Sequence, residues 1–147
     1  MITLRDSIEI KAKPQKTFDW LVHLEENYKA WHPDHVECYW LKGKPAEEGS
    51  ILYVEEYIHG SLHKMRMRIT RIEPAKRIEY KILFPMSIIC PEGSFIIEPN
   101  GESCIFTATL SFRFGKMLST LAKDRVEALK KHMKEEGESL KRLLEMS

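Results

Sequence analysis

Apolar and polar positions alternate with a period of two over most of this chain, and helical spacing replaces that alternation in two places. Ile2 to Ala12 alternates around Ile8 and Ile10 and predicts a first strand. Pro14 then marks a helix start, because its fixed φ suits the first helical position. Phe18, Leu21, Val22 and Leu24 carry helical spacing through Tyr28. The pattern stops near Trp31, His32 and Pro33, since a residue before proline is pushed out of the helical region. Val36 to Leu41 resumes as a strand.

Gly49 to His59 and Leu62 to Ile72 read as two strands joined at Gly60-Ser61, where glycine supplies the positive φ of a type II′ turn. That turn pairs His59 with Leu62, Ile58 with His63, Glu56 with Met65, Val54 with Met67 and Leu52 with Ile69. One face is then apolar except for Glu56 and His63. The other sets Tyr53, Glu55 and Tyr57 against Arg68, Arg66 and Lys64, as suits a solvated surface. Further strands are predicted over Arg77–Phe84, Ser87–Glu98 and Ser103–Phe114, separated by Glu73-Pro74 and Pro99-Asn100-Gly101. In the last, Cys104, Phe106, Ala108, Leu110 and Phe112 share one side. From about Met117 to Met146 the spacing is that of one long helix.

Strands that follow one another at hairpin length cannot form parallel βαβ units. The predicted fold is α+β: a curved, antiparallel, seven-stranded sheet around a long C-terminal helix, in the order β-α-α-β6-α, as one domain over residues 1–147. This order resembles the START-like (SRPBCC, pollen-allergen) superfamily of helix-grip proteins across essentially the whole chain. The resemblance implies a cavity between sheet and helix that holds a hydrophobic small molecule.

Composition narrows the partners. Lys+Arg number 23 against 22 Asp+Glu, a formal charge of +1, so no global field draws in nucleic acid or an anionic membrane. Cys38, Cys90 and Cys104 are far apart and lack C-x-x-C spacing, which reads as reduced core thiols. No basic segment followed by an apolar one opens the chain, and no apolar run approaches the roughly 18 residues of a membrane span; a cytoplasmic protein is expected. Tyr53 and Tyr57 on the outer face fit a homodimer surface or solvent equally.

The chemistry lies where polar residues interrupt the apolar pattern. On the last helix Leu129, His132, Met133, Glu136, Leu140, Leu143 and Leu144 form one stripe. His132 and Glu136 are one turn apart on the same face, where an imidazole and a carboxylate can close on a single ion, and Gly137 beside them permits close backbone approach. The alternative is a slightly rotated stripe with Met133 and Gly137 inward. Glu56 (or Glu55, after a one-residue slip) brings a carboxylate to the inner face, where it must be paired, protonated or metal-bound. Trp31-His32-Pro33-Asp34-His35 adds two more histidines at the cavity mouth. His32 (or His35), Glu56, His132 and Glu136 thus supply mixed nitrogen and oxygen donors from three segments. That set suits zinc, and manganese or iron fit it too.

Tyr28-Lys29-Ala30-Trp31-His32-Pro33 with Asp34-His35, the Glu55-Glu56 strand and His132-x-x-x-Glu136 resemble the 2,4-diacetylphloroglucinol hydrolase family, although Asp34 stands where that family has an asparagine. The resemblance implies zinc-dependent hydrolysis of a carbon–carbon bond, with His32, Glu56 (or Glu55), His132 and Glu136 as ligands. The expected function is therefore metal-dependent hydrolysis of a small apolar acyl or aryl ketone. His63 or Tyr28 would move protons or steady an oxyanion, and Tyr80, which shares a face with Ile78 and Ile82, is a further donor. The competing readings are non-catalytic binding or transport of a hydrophobic small molecule and, behind it, a metal-free cyclase or a stress-related interaction module.

Overall fold

The computed structural model describes residues 1–113 and 123–147. In chain order the elements are β1 (Ile2–Ile10), α1 (Pro14–Val22), α2 (Leu24–Trp31), β2 (His35–Lys42), β3 (Ile51–Ile58), β4 (Ser61–Glu73) and β5 (Arg77–Ile82). A single 3-10 turn (Met86–Ile88), β6 (Glu92–Asn100), β7 (Ser103–Phe112) and α3 (Lys123–Glu145) follow. The strands form one seven-stranded sheet in the order β1-β7-β6-β5-β4-β3-β2, antiparallel throughout. This is the helix-grip architecture. Pro14 occupies the first turn of α1, and His23, at φ −105 and ψ 46, separates α1 from α2.

The inner face of the sheet and the buried side of α3 make the core, with Ile10, Val54, Cys104 and Leu140 fully enclosed. Gly137 lets α3 lie close against β1: a Cβ there would stand 3.0 Å from Asp6 Oδ2 and 3.4 Å from Ile8 Cγ2. All three cysteines are free and buried. Among the described residues, no helix is long and apolar enough to cross a membrane.

Three local expectations are corrected. The β3–β4 turn is His59-Gly60, both at positive φ (52 and 76), which is a type I′ turn with the matching twist. Ile58 therefore pairs with Ser61, Glu56 with His63, Val54 with Met65 and Leu52 with Met67, two places from the expected register. An even shift leaves every side chain on its expected face. Second, Ser87–Glu98 does not run as one strand. Pro85 and Pro91, which lack the N–H a ladder needs, bracket a turn that leaves Ile88 and Ile89 exposed, and β6 begins at Glu92.

Third, β2 begins at His35, one residue before the expected Val36, and carries a register break. Cys38 and Trp40 oppose Val54 and Leu52 on the inner face, so plain alternation would turn Val36 inward. Instead the register shifts between His35 and Glu37: His35 opposes Glu56 and is buried, while Val36 is exposed. A β-bulge re-aims one side chain in this way. The expected beginning of the last helix near Met117 and the end of the last strand at Phe114 lie outside the described residues.

Candidate metal centre

Four side chains from three elements meet between the sheet and α3. His35 comes from the bulged start of β2, Glu56 from the inner face of β3, and His132 and Glu136 from successive turns of α3. Each offers one ligand atom, and the four atoms lie within 4.8 Å of one another. His35 Nε2 is 3.2 Å from His132 Nε2, 2.8 Å from Glu136 Oε2 and 3.4 Å from Glu56 Oε2. His132 Nε2 is 3.3 Å from Glu136 Oε2 and 3.5 Å from Glu56 Oε2. The side chains are 0%, 6%, 13% and 16% exposed for His35, His132, Glu56 and Glu136, so bulk water is largely kept out.

The surroundings hold these groups in place. His35 Nδ1 donates to the Tyr28 carbonyl at 2.7 Å, which directs Nε2 at the other three groups. The Tyr28 ring stacks on the His35 imidazole, centroids 3.8 Å apart, and its hydroxyl donates to Glu56 Oε2 at 2.7 Å. Trp31 Nε1 donates to the Glu136 carbonyl at 2.9 Å and ties α2 to α3.

Charge is balanced within the quartet. Burial alone would disfavour the imidazolium of His35, but hydrogen bonds to Glu136 and Glu56 outweigh it and raise the ring to about 9. The same contest raises His132 to about 10. Burial would push Glu56 and Glu136 up, yet the ring donors of His132 and His35 outweigh it and hold both carboxyls below their ordinary range. Without a cation the quartet is thus a double ion pair, with two protonated Nε2 atoms held 3.2 Å apart by the carboxylates between them. Burial, then the Glu56 charge, push the Tyr28 phenol up, so it stays a donor.

The other expected site residues do not join the four. His32 stands outside the quartet, its ring 4.2 Å from that of His132. Its Nδ1 accepts the Asp34 backbone N–H at 3.0 Å and its Nε2 donates to Glu135 Oε1 at 3.1 Å, so both nitrogens are engaged. His32, Asp34 and His132 make a second, more open grouping of ligand atoms. Glu55 faces outward and accepts from the Tyr53 hydroxyl at 2.9 Å. His63 is half-buried directly opposite Glu56, on the inner face. Tyr80 is buried on β5 against Phe95. Sequence reasoning took His32 before His35 because the signal that would have favoured His35, the bulge, exists only once β2 and β3 are paired.

One space adjoins the site and a second lies apart from it. A groove of about 280 Å³ reaches His132 from outside, bounded by Asp34, His59, Lys131 and Glu135. Deeper between sheet and helices, Leu24, Leu52, Met67, Tyr80 and Phe95 surround an apolar void of about 30 Å³, room for roughly one water.

Comparison with known proteins agrees with this architecture. A protein from Thermus thermophilus, TTHA0849, superposes with a TM-score of 0.80 at 14% identity, covering 99% of this chain and 98% of that one. The Zhui aromatase/cyclase from Streptomyces sp. R1128 gives 0.76 at 13% identity, covering 98% and 93%. A START superfamily protein from Mycobacterium smegmatis gives 0.68 at 18% identity, covering 98% and 97%. At such identities the likeness is one of fold. No curated protein matches the sequence. None of these findings supports the closer resemblance to the diacetylphloroglucinol hydrolases. The sequence does match one family description over residues 1–145, and with it the chain belongs to the polyketide cyclase / dehydrase and lipid transport family.

Proposed function

We propose that this protein is a metal-dependent hydrolase of a small apolar acyl or aryl ketone, with His35, Glu56, His132 and Glu136 as the ligands of one divalent ion, zinc by preference. The observation that carries the reading is the shape of the quartet. Four donors about 2.05 Å from a tetrahedral zinc stand about 3.3 Å from each other. Five of the six separations here run from 2.8 to 3.5 Å. Two neutral imidazoles and two carboxylates also cancel a charge of +2, and a divalent ion would remove the need for two protons between the ring nitrogens.

Bound there, zinc would supply a polarising charge for a carbonyl and a water of lowered pKa, provided that a fifth ligand is admitted or one carboxylate gives way, since four protein donors fill a tetrahedron. This chain's own residues supply the rest. Tyr28 and the carbonyl it presents to His35 orient two of the ligands. His63, opposite Glu56 in the ladder, would give a proton to the leaving carbon. The overall change adds water across the aryl–acyl bond, giving an arene C–H and a carboxylic acid. The groove beside His132 admits the substrate, and its apolar body lies against the inner sheet.

A second reading has its own support. The family description and the aromatase/cyclase neighbour favour a site that binds a hydrophobic small molecule or steers its cyclisation; on this reading the site works without a metal and the double ion pair is a proton reservoir. The experiment that separates the two is zinc titration of metal-stripped protein, paired with hydrolysis of an acylphloroglucinol-type ketone. One zinc per chain is expected. His132→Ala or Glu136→Ala should weaken binding by about 100-fold or more and abolish hydrolysis. Wild type binding zinc no more tightly than the double variant would leave the metal-free reading standing.

A further inference from the structure

We infer that the outer face of the β2–β3–β4 end of the sheet is a contact surface for a second copy of this chain, with a two-fold axis running along the β3–β4 seam. The pairing goes beyond the proposed function and needs neither metal nor ligand.

The cross-strand register lays this face out in rows. Glu37, Glu55 and Lys64 form one row, Tyr39, Tyr53 and Arg66 the next, and Lys42, Ile51 and Arg68 a third, while Tyr57 and Leu62 close the face at the hairpin end. Tyr39, Tyr57 and Leu62 are 45%, 44% and 41% exposed, and the Tyr53 ring lies 4.9 Å from that of Tyr39. Single exposed apolar residues are ordinary. A group of them on one face, rimmed by charge, has the form of an interaction surface.

The charges on this face lack partners within the chain. Glu37 stands directly opposite Glu55, and like charges so placed on neighbouring strands cost stability. Among the described residues, none of Glu37, Glu55, Lys64, Arg66 and Arg68 makes an ion pair, even though Lys64 is opposite Glu55. Glu55 accepts instead from the Tyr53 hydroxyl, and Arg66 donates to the Phe84 carbonyl. Further along the same face the charges do pair: Arg71 with Glu73 and Glu79, and Arg77 with Glu79 at 3.1 Å. The unpaired end carries its acids on β2 and β3 and its bases on β4, a pattern that complements itself.

A second copy turned about the seam uses that pattern. Sheets packed face to face keep their strands nearly aligned, so β3 of one copy lies over β4 of the other with the rows in step. Glu55 then meets Lys64, Tyr57 meets Leu62, and the Tyr53 ring meets the Arg66 guanidinium. Each contact occurs twice, because a two-fold interface is isologous. The lysine also answers the two carboxylates that face each other within one chain. A formal charge of +1 leaves little repulsion between copies. Because the sheet curls around α3 its outer face is convex, which confines contact to the seam strands and makes the association small and reversible.

Sedimentation equilibrium of the whole chain at low salt, from about 5 to about 500 μM, tests the pairing. The mass should climb from the 17.3 kDa of one chain toward twice that value. Glu55→Lys and Lys64→Glu should each weaken association by about ten-fold or more, since each turns two attractions into two repulsions. Mixed in equal amounts, the two variants should associate within about three-fold of wild type, because both contact positions are then lysine in one and glutamate in the other. A wild type that keeps the mass of one chain throughout, single reversals that associate as wild type does, or a mixture that gains nothing overturns the inference. Leu62→Asp, at a position already open to solvent, should weaken association by about ten-fold as well. It decides the matter should a reversal lower the melting temperature, and undiminished association of Leu62→Asp would equally overturn the pairing.

Discussion

His35 Nε2 lies 2.8 Å from Glu136 Oε2, which joins the first residue of β2 to the middle of α3 through a fully buried imidazole. This contact depends on a ring whose other nitrogen is already committed to the Tyr28 carbonyl. The contact ranks the two histidines of the His32–His35 segment.

His35→Ala should therefore lower zinc affinity by about 100-fold, comparable to losing His132, while His32→Ala should change it less than about ten-fold. Calorimetric titration of the two variants side by side checks this. Equal losses, or the reverse order, would move the ligand role back to His32.

The metal-free protein should be most stable in mildly acid solution. Glu56 and Glu136 have depressed folded-state values, so their contribution is present above the usual 4.5 and is lost as pH falls. His35 and His132 are raised to about 9 and about 10 from 6.5. Their contribution is complete below 6.5 and disappears as pH rises through those values. Melting temperature in chelator should be flat between about 4.5 and 6.5 and fall on both sides. In His132→Gln the alkaline decline should be shallower. An alkaline limb identical in the two proteins would refute the double ion pair.

Burial along α3 orders the cost of shortening its leucines. Leu140 is fully enclosed and Leu129 only half so. Leu140→Ala should cost about 2 to 5 kcal/mol and Leu129→Ala distinctly less. Arg66→Ala, on the outer face with one exposed hydrogen bond to the Phe84 carbonyl, should cost under about 1 kcal/mol. Urea midpoints in any other order would mean that α3 meets the sheet through a different face.

The general architecture was legible because the buried face of each element is continuous. The alternation of Cys104, Phe106 and Ala108 and the stripe through Met133, Leu140 and Leu144 each point one way, and tertiary packing keeps them so. The same logic exposed His132, Glu136 and Glu56, as polar residues on faces that are otherwise apolar. It failed at His35, because β2 read by itself turns that residue outward. It also failed at Ile88 and Ile89, whose apolar character resembles a strand although the flanking prolines prevent one. Both misses involve a break in periodicity, which a periodic reading cannot contain.

The break at β2 can be tested by removing it. His35 pairs with Glu56, Val36 takes no place in the register, and from Glu37 to Trp40 the pairing with β3 is regular: Glu37 with Glu55, Cys38 with Val54, Tyr39 with Tyr53, Trp40 with Leu52. Val36 is the surplus residue, since removing it would bring His35 into the regular position opposite Glu56 on the inner face. The Tyr57 N–H already bonds the Asp34 carbonyl at 2.9 Å, the next contact that such a regular ladder calls for. Deleting Val36 should therefore keep zinc affinity within about ten-fold of wild type, whereas inserting an alanine after Val36 should move His35 out of register and lower affinity as much as His35→Ala does. Deletions inside strands ordinarily reverse every side chain beyond them, so retention of binding would be hard to explain without the bulge. Loss of affinity on deletion would show instead that the local twist of the bulge, and not the register alone, aims the imidazole.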